Sequence, residues 1–334
     1  MTMNLAPTDE QAMVREMVRR FLADRYDTGS MAKLPMSRED WRALGELGLL
    51  GFLLPEGAGG MGGGAAEVMI VAEEMGRALA ITPLAESIVL CGRAIAGSKA
   101  GQRWAEPLAQ GTALLAFARG GVVSEERLSG SAGIVREGMD AAAFVVVPEG
   151  GGALLIDAAA PGVVRMPVRL VDGSMAAHLG FQDTATEPLP IRSEALAMAV
   201  ALAELAVVAE MVGSMATLLD LTLDYVRQRH QFGKPIASFQ VVQHRCARLY
   251  ASLEQCRSLL LKAALVEEQR RLRAVATAKA YVCDAALKLA EDAVQLHGGM
   301  GVTDELAVGR GLRRVLLLSR LHGGAIAARA VLAA

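Results

Sequence analysis

Residues Arg229 to His244 read RHQFGKPIASFQVVQH, and residues Gln295 to Gly301 read QLHGGMG. A guanidinium such as Arg229 forks onto a pyrophosphate, and an aromatic side chain such as Phe232 covers a ring face, so the first stretch suits a nucleotide-like ligand. In the second, an amide (Gln295) precedes the adjacent glycines Gly298 and Gly299, where the backbone can approach a ligand more closely than any Cβ would allow. Each stretch also reads as an ordinary turn between helices, the first with a solvated arginine. Both readings stay open for either stretch alone; the two together favour a binding site.

The elements that must position them are helices. From Met198 to Val226 apolar residues recur at helical spacing, with Glu204, Glu210, Asp220 and Asp224 between them. Arg229 falls at the end of that helix, Gly233 and Pro235 stop it, and Ser238 is the expected N-cap of the next, starting near Phe239. Upstream, Thr8 is expected to cap a helix over Glu10 to Tyr26 and Ser37 one over Glu39 to Leu49, and Ala65 to Leu79 reads as a third. Between 111 and 191 the texture changes to short β-prone pieces (Ala113 to Ala118, Gly133 to Val135, Ala142 to Pro148, Ala153 to Ile156, Val163 to Val171) separated by Gly, Pro and Asp. The expectation is a mostly α chain with a small antiparallel barrel or sandwich in the middle and four long helices at the end. The segments are 1–110 (α-helical), 111–191 (β-barrel) and 192–334 (four-helix bundle).

Composition narrows the function classes. A chain of 334 residues is expected to form two or three domains. A formal net charge of -2 gives no electrostatic footprint for nucleic acid or an anionic membrane. Arg270, Arg271 and Arg273 adjoin Glu267 and Glu268 and read as a solvated helix end. Cys91, Cys246, Cys256 and Cys283 are far apart and read as buried reduced thiols of a cytoplasmic protein. His178, His230 and His244 lack metal-ligand spacing, and no metal is expected. Arg310, Arg313 and Arg314 read as facing solvent or a subunit neighbour. Met1 to Glu10 has no apolar leader core. The mean hydropathy is high, +0.34, but Glu204 and Glu210 are read as breaking the most apolar run before it could span a bilayer. The excess of Ala, Leu and Met suggests helices buried on several sides, as in a packed oligomer.

Gly57-Ala58-Gly59-Gly60-Met61-Gly62 fits G-x-G-x-x-G, with Glu73 and Glu74 downstream, so a nicotinamide-dependent oxidoreductase is a remote alternative. Helical periodicity before the loop, Pro55 at its entrance and more helix after it argue against that reading.

The stretch Leu47 to Gly62 (LGLLGFLLPEGAGGMG), followed by Glu73-Glu74-Met75-Gly76-Arg77, resembles the N-terminal signature of the acyl-CoA dehydrogenase family; with the Arg229 and Gln295 stretches the similarity spans nearly the whole chain. The resemblance implies an FAD-dependent α,β-dehydrogenation of an acyl-CoA thioester: a carboxylate removes the α-proton while the β-hydrogen leaves as hydride to the flavin. It implies that Arg229, Phe232, Gln240, Gln295, Gly298 and Gly299 hold the ADP and ribityl parts of FAD, much of that grip reaching the cofactor of a neighbouring subunit in a dimer or tetramer.

Other positions depart from the family pattern. Where the family has its C-terminal catalytic Glu followed by Gly-Thr, this chain reads Leu321-His322-Gly323-Gly324. Where it has a Trp and, two residues on, Thr or Ser against the flavin, Ile134 and Arg136 stand. Three consequences compete. Glu204 lies close to the place from which one subgroup takes its base, and a buried carboxylate could move the proton. His322 could itself be the base, since imidazole titrates near neutrality. The third is that the chain resembles the short members acting on CoA esters of steroid side chains. Those are heterotetramers in which one subunit supplies base and flavin seat and its partner closes the ADP end.

Overall fold

The structure is a computed structural model that describes residues 6–26, 35–303 and 306–333. The first five residues, part of the segment read for a leader, lie outside it, as do the extreme ends of the expected first and last segments. Contacts group the chain into two compact units, one formed by 1–34, 65–81 and 204–334, the other by 35–64 and 82–203.

In the first unit, α1 (Asp9–Arg25) starts with a capping box in which the Thr8 hydroxyl accepts from the Gln11 amide and the Gln11 side chain returns to the Thr8 N–H. It is tied to the helix Ala65–Arg77 by Arg15 and Arg19, which reach the buried Glu73 and Glu74 at 3.0–3.1 Å. The glutamates that could have served a dinucleotide ribose are thus bound to arginines. The expected long apolar helix is present as Ser193–Gln228 and belongs to this unit from Glu204 onward. A Cβ on Gly76 would lie 2.0 Å from the Glu210 carbonyl oxygen, and one on Gly213 would lie 2.0 Å from that of Glu73, so these two helices cross backbone against backbone. Contrary to the sequence expectation, Glu204 and Glu210 leave an 18-residue window long and apolar enough to cross a membrane; 72% of that window is buried in the protein. A helix apolar on all sides is what such burial requires.

In the second unit, α2 (Arg38–Glu46) is capped by Ser37 but ends before Leu49, because Gly48 takes a left-handed conformation (φ 77°) and restarts the chain as α3 (Leu49–Leu53). With the Ala65–Arg77 helix as α4, a π-helix over Leu84–Cys91 then runs into α5 (Gly92–Ala94), and α6 (Lys99–Ala109) follows. The glycine loop does not resemble a dinucleotide turn. Among the described residues no strand precedes it, and its N–H groups are used internally: Met61, Gly62 and Gly63 donate to the carbonyls of Gly51, Leu54 and Phe52. Those three amides are therefore not turned toward a phosphate.

Two four-stranded sheets follow. One has the order β1 (Leu115–Arg119), β4 (Ala143–Val147), β5 (Leu154–Asp157), β8 (Glu187–Pro188); the other β2 (Val122–Ser124), β3 (Arg127–Arg136), β7 (Met175–Ala185), β6 (Val163–Arg169). They share a core of Ala116, Leu128, Val135, Phe144, Val146, Ile156, Leu179 and Phe181. The expectation of antiparallel pairing fails at one place, where β1 and β4 run parallel. The longest strand, β7, escaped the sequence reading because its Ala- and Gly-rich first half has little β-propensity; pairing on both edges, to β3 and β6, decides its state.

With Ser193–Gln228 as α7, the chain then forms a hairpin of β9 (His230–Gln231) and β10 (Lys234–Pro235), then α8 (Gln240–Leu265) and α9 (Glu268–His297). The expected fourth helix is broken into α10 (Ala307–Leu318) and α11 (Gly324–Ala333), bent by 72°.

Candidate functional site

The first candidate stretch is a β-hairpin set on the end of α7. The Arg229 N–H donates to the Tyr225 carbonyl and the Ile236 N–H to the Arg229 carbonyl, each at 2.8 Å, so Arg229 sits at the base of the hairpin. Phe232 and Gly233 form its tip with φ of 54° and 80°. Positive φ at both central residues is the requirement of a type I′ turn, which glycine and asparagine meet easily and phenylalanine does not. The Phe232 ring is 90% exposed, with an edge-on contact to Phe239 at 6.2 Å. Ser238 is not the N-cap: its hydroxyl donates to the Pro235 carbonyl at 2.7 Å, within a short 3-10 turn that places Phe239 at the cap. Gln240 is therefore the first residue of α8, and it is exposed.

The second stretch closes α9. Gln295, Gly298 and Gly299 are exposed, and a Cβ on either glycine would meet nothing within 4 Å. Gly298 has φ 61° and ψ -142°, a region essentially closed to other residues, which explains a glycine there. Sequence reasoning missed what joins the two stretches. The rings of Tyr225 and His297 stack with centroids 4.3 Å apart, and the Tyr225 hydroxyl donates to the His297 carbonyl at 3.3 Å. His297 is buried, its Nδ1 lies 2.8 Å from the Ala293 carbonyl, and burial lowers its pKa from the ordinary 6.5. A histidine ahead of the glycine pair, and a tyrosine one turn before Arg229, were the available signals.

Glu204 and His322 are also brought together, through a residue the sequence reading passed over. The Lys279 ammonium, fully buried on α9, donates to Glu204 Oε1 at 2.7 Å and to the His322 carbonyl at 3.0 Å. Its signal was a lone lysine inside the apolar run Ala274 to Val282. His322 takes φ 50° and ψ 38° in the break between α10 and α11. One turn beyond Lys279, burial pushes the Cys283 thiol up to about 11. Of the four thiols Cys246 is only half-buried, unlike the other three. Arg314 does not face solvent: it is 2% exposed and pairs with the buried Glu210 at 2.6 Å.

In the second unit, Ile134 on β3 is 59% exposed, whereas Arg136 is buried. The Arg136 guanidinium bridges both oxygens of Glu86 on the π-helix at 3.0 and 3.2 Å, the Thr82 carbonyl at 3.2 Å and Glu137 at 3.2 Å. Where a small hydroxyl was expected by resemblance, a cation is locked into the protein's own carboxylates.

Helices, a two-sheet β region and a further run of long helices, in that order, are the architecture of flavin-dependent acyl-CoA dehydrogenases. The chain belongs to the acyl-CoA dehydrogenase family, oxidoreductases that use FAD. The family's N-terminal domain matches residues 8–112 and its C-terminal domain residues 195–333. The chain is 30% identical to acyl-CoA dehydrogenase IpdE2 of Mycobacterium tuberculosis over 96% of its own length and 93% of that protein. Solved structures are also similar to it, among them the following. The ChsE4-ChsE5 complex from Mycobacterium tuberculosis matches with a TM-score of 0.88 at 26% identity, covering 99% of this chain and 98% of that one. A Tcur3481-Tcur3483 steroid ACAD variant matches with a TM-score of 0.86 at 27% identity, covering 97% of each chain.

The residues fit the two ends of FAD unequally. Arg229, Gln240 and Gln295 are exposed donors, and Gly233, Gly298 and Gly299 leave open space at their backbone, which suits a pyrophosphate and adenosine. Arg136, held on Glu86 and Glu137, offers no hydroxyl to a flavin ring.

Proposed function

We propose that this chain works in an FAD-dependent acyl-CoA dehydrogenase as the subunit that holds the ADP end of the cofactor, while a related second chain supplies the base and the ring seat. The observation that carries this reading is Phe232, a strained aromatic residue held almost fully in solvent at a hairpin tip. Strain that packing repays only weakly is the mark of a residue kept for a ligand or partner. Arg229 and Gln240 would bind phosphate and sugar oxygens, Gln295 and the Gly298-Gly299 backbone would approach the adenosine end, and Phe232 would cover a ring. Bound FAD supplies the hydride acceptor. The same reading takes the assembly to be a heterotetramer acting on a bulky acyl-CoA such as a steroid side-chain thioester; it is supported by the likeness to the ChsE4-ChsE5 complex and to the steroid ACAD.

Both residues considered as bases have other engagements, Glu204 with Lys279 and His322 with the strained turn. The experiment is to purify the chain alone and co-produced with a neighbouring dehydrogenase subunit, and to measure flavin content and acyl-CoA-dependent dye reduction. The proposal expects little flavin and no activity alone, and both in the co-produced complex. A yellow, active protein purified alone overturns it in favour of an independent FAD enzyme working as a homo-oligomer.

A further inference from the structure

Lys279 has no exposed surface, yet an ammonium remains buried only where its donors find partners. Its two partners come from distant parts of the chain: the Glu204 carboxylate on α7 and the His322 carbonyl between α10 and α11. That carbonyl belongs to the first of three successive residues with positive φ, His322 at 50°, Gly323 at 77° and Gly324 at 59°. The two glycines adopt this backbone readily, whereas a histidine persists there only when its surroundings hold it. The room is small: a Cβ on Gly324 would lie 2.4 Å from the Ser319 carbonyl oxygen. Lys279 is the buried cation that reaches this turn, and Glu204 supplies the opposing charge that an interior ammonium needs.

We infer that Lys279 is a positioning residue: by binding the Glu204 carboxylate and the His322 carbonyl together, it holds the His322–Gly324 turn in its left-handed form and fixes where the His322 imidazole is presented. Glu204 is then the electrostatic anchor of that turn. The inference stands whether FAD is held by this chain alone or with a partner, because it concerns contacts within one unit of this chain.

The test uses the full chain carrying histidine labelled with carbon-13 at Cε1, the His322 signal being assigned from His322→Gln. Lys279→Met combined with Glu204→Gln removes both charges, so no lone buried ion is left to unfold the protein. In this double variant the His322 signal moves, and amide exchange over residues 319–326 rises roughly tenfold, the factor expected for losing one charge-assisted hydrogen bond. The other histidine signals and the exchange of α9 stay as in the parent. Glu204→Gln alone strands the buried ammonium without its counter-charge and destabilises the chain more than the double variant does. An unmoved His322 signal with unchanged exchange overturns the inference. So does a uniform rise across α9–α11 or loss of the folded spectrum, since either makes Lys279 a general support of the helices.

Discussion

Replacing Phe232 with asparagine separates stability from function in opposite directions. Phe232 and Gly233 occupy the two positive-φ positions of a type I′ turn, and Asn-Gly is the pair that turn prefers. A bulky residue in the left-handed region costs about 1–2 kcal/mol, much of which asparagine avoids. Against this stands the edge-on contact with Phe239, worth about 0.5 kcal/mol at the weak end of the aromatic range, because the Phe232 ring is 90% exposed and little area is lost. The balance favours the variant by about 0.5–1 kcal/mol, a rise of roughly 1–3 °C in melting temperature for a chain of this size. If the ring lies over part of FAD, its loss removes stacking of about 1–3 kcal/mol, roughly 5- to 150-fold in Kd. Differential scanning fluorimetry on the flavin-free chain and titration of FAD into the assembly that retains it measure the two effects. A lower melting temperature with unaltered FAD affinity would refute the reasoning, making Phe232 a packing residue of the hairpin.

Three further outcomes are expected. Gly213→Ala places a methyl 2.0 Å from the Glu73 carbonyl oxygen, so the α4–α7 crossing must open; a loss of about 1–3 kcal/mol or more should appear in urea unfolding, while Gly233→Ala, which meets nothing within 4 Å, reports only the left-handed strain. Arg314→Met strands Glu210 as a buried charge and is expected to cost about 3–5 kcal/mol, with Glu210→Gln in the same chain restoring most of it; no restoration would mean the arginine's packing dominates. Burial lowers the His297 pKa from 6.5, so the unfolded chain takes up a proton at a higher pH than the folded one. The stability from neutral His297 is therefore complete above pH 6.5 and is lost as pH falls through the folded value; His297→Gln should flatten that acid limb in melts between pH 5 and 8, and an unchanged limb would contradict the assignment.

The parts of this protein legible in the sequence were those governed by local rules. Thr8 and Ser37 cap helices as expected, and the 36-residue α7 follows from apolar periodicity. The features that were missed depend on residues far apart in the chain. β7 is a strand because two neighbours pair with it; Lys279 matters because Glu204 and His322 converge on it; Arg314 is buried because Glu210 lies opposite. Ser238 failed as a cap for a subtler reason: Pro235 and the 3-10 turn give its hydroxyl a nearer carbonyl. The two candidate stretches stand out in the sequence because their glycines and arginine carry backbone and charge requirements of their own. What joins them, the Tyr225–His297 stack, could be read only in three dimensions.

As proposed above, this chain grips the ADP end of FAD for a site completed by another subunit. The most direct test is the flavin content per chain, from visible absorbance after gel filtration, for the protein alone and for its complex with a co-produced dehydrogenase subunit carrying Glu at the base position. The expected result is a colourless chain alone, a yellow complex, and loss of the flavin from that complex when Arg229 and Gln295 of this chain are both replaced by alanine. Full flavin in the isolated chain, or a complex whose flavin survives both replacements, would contradict it.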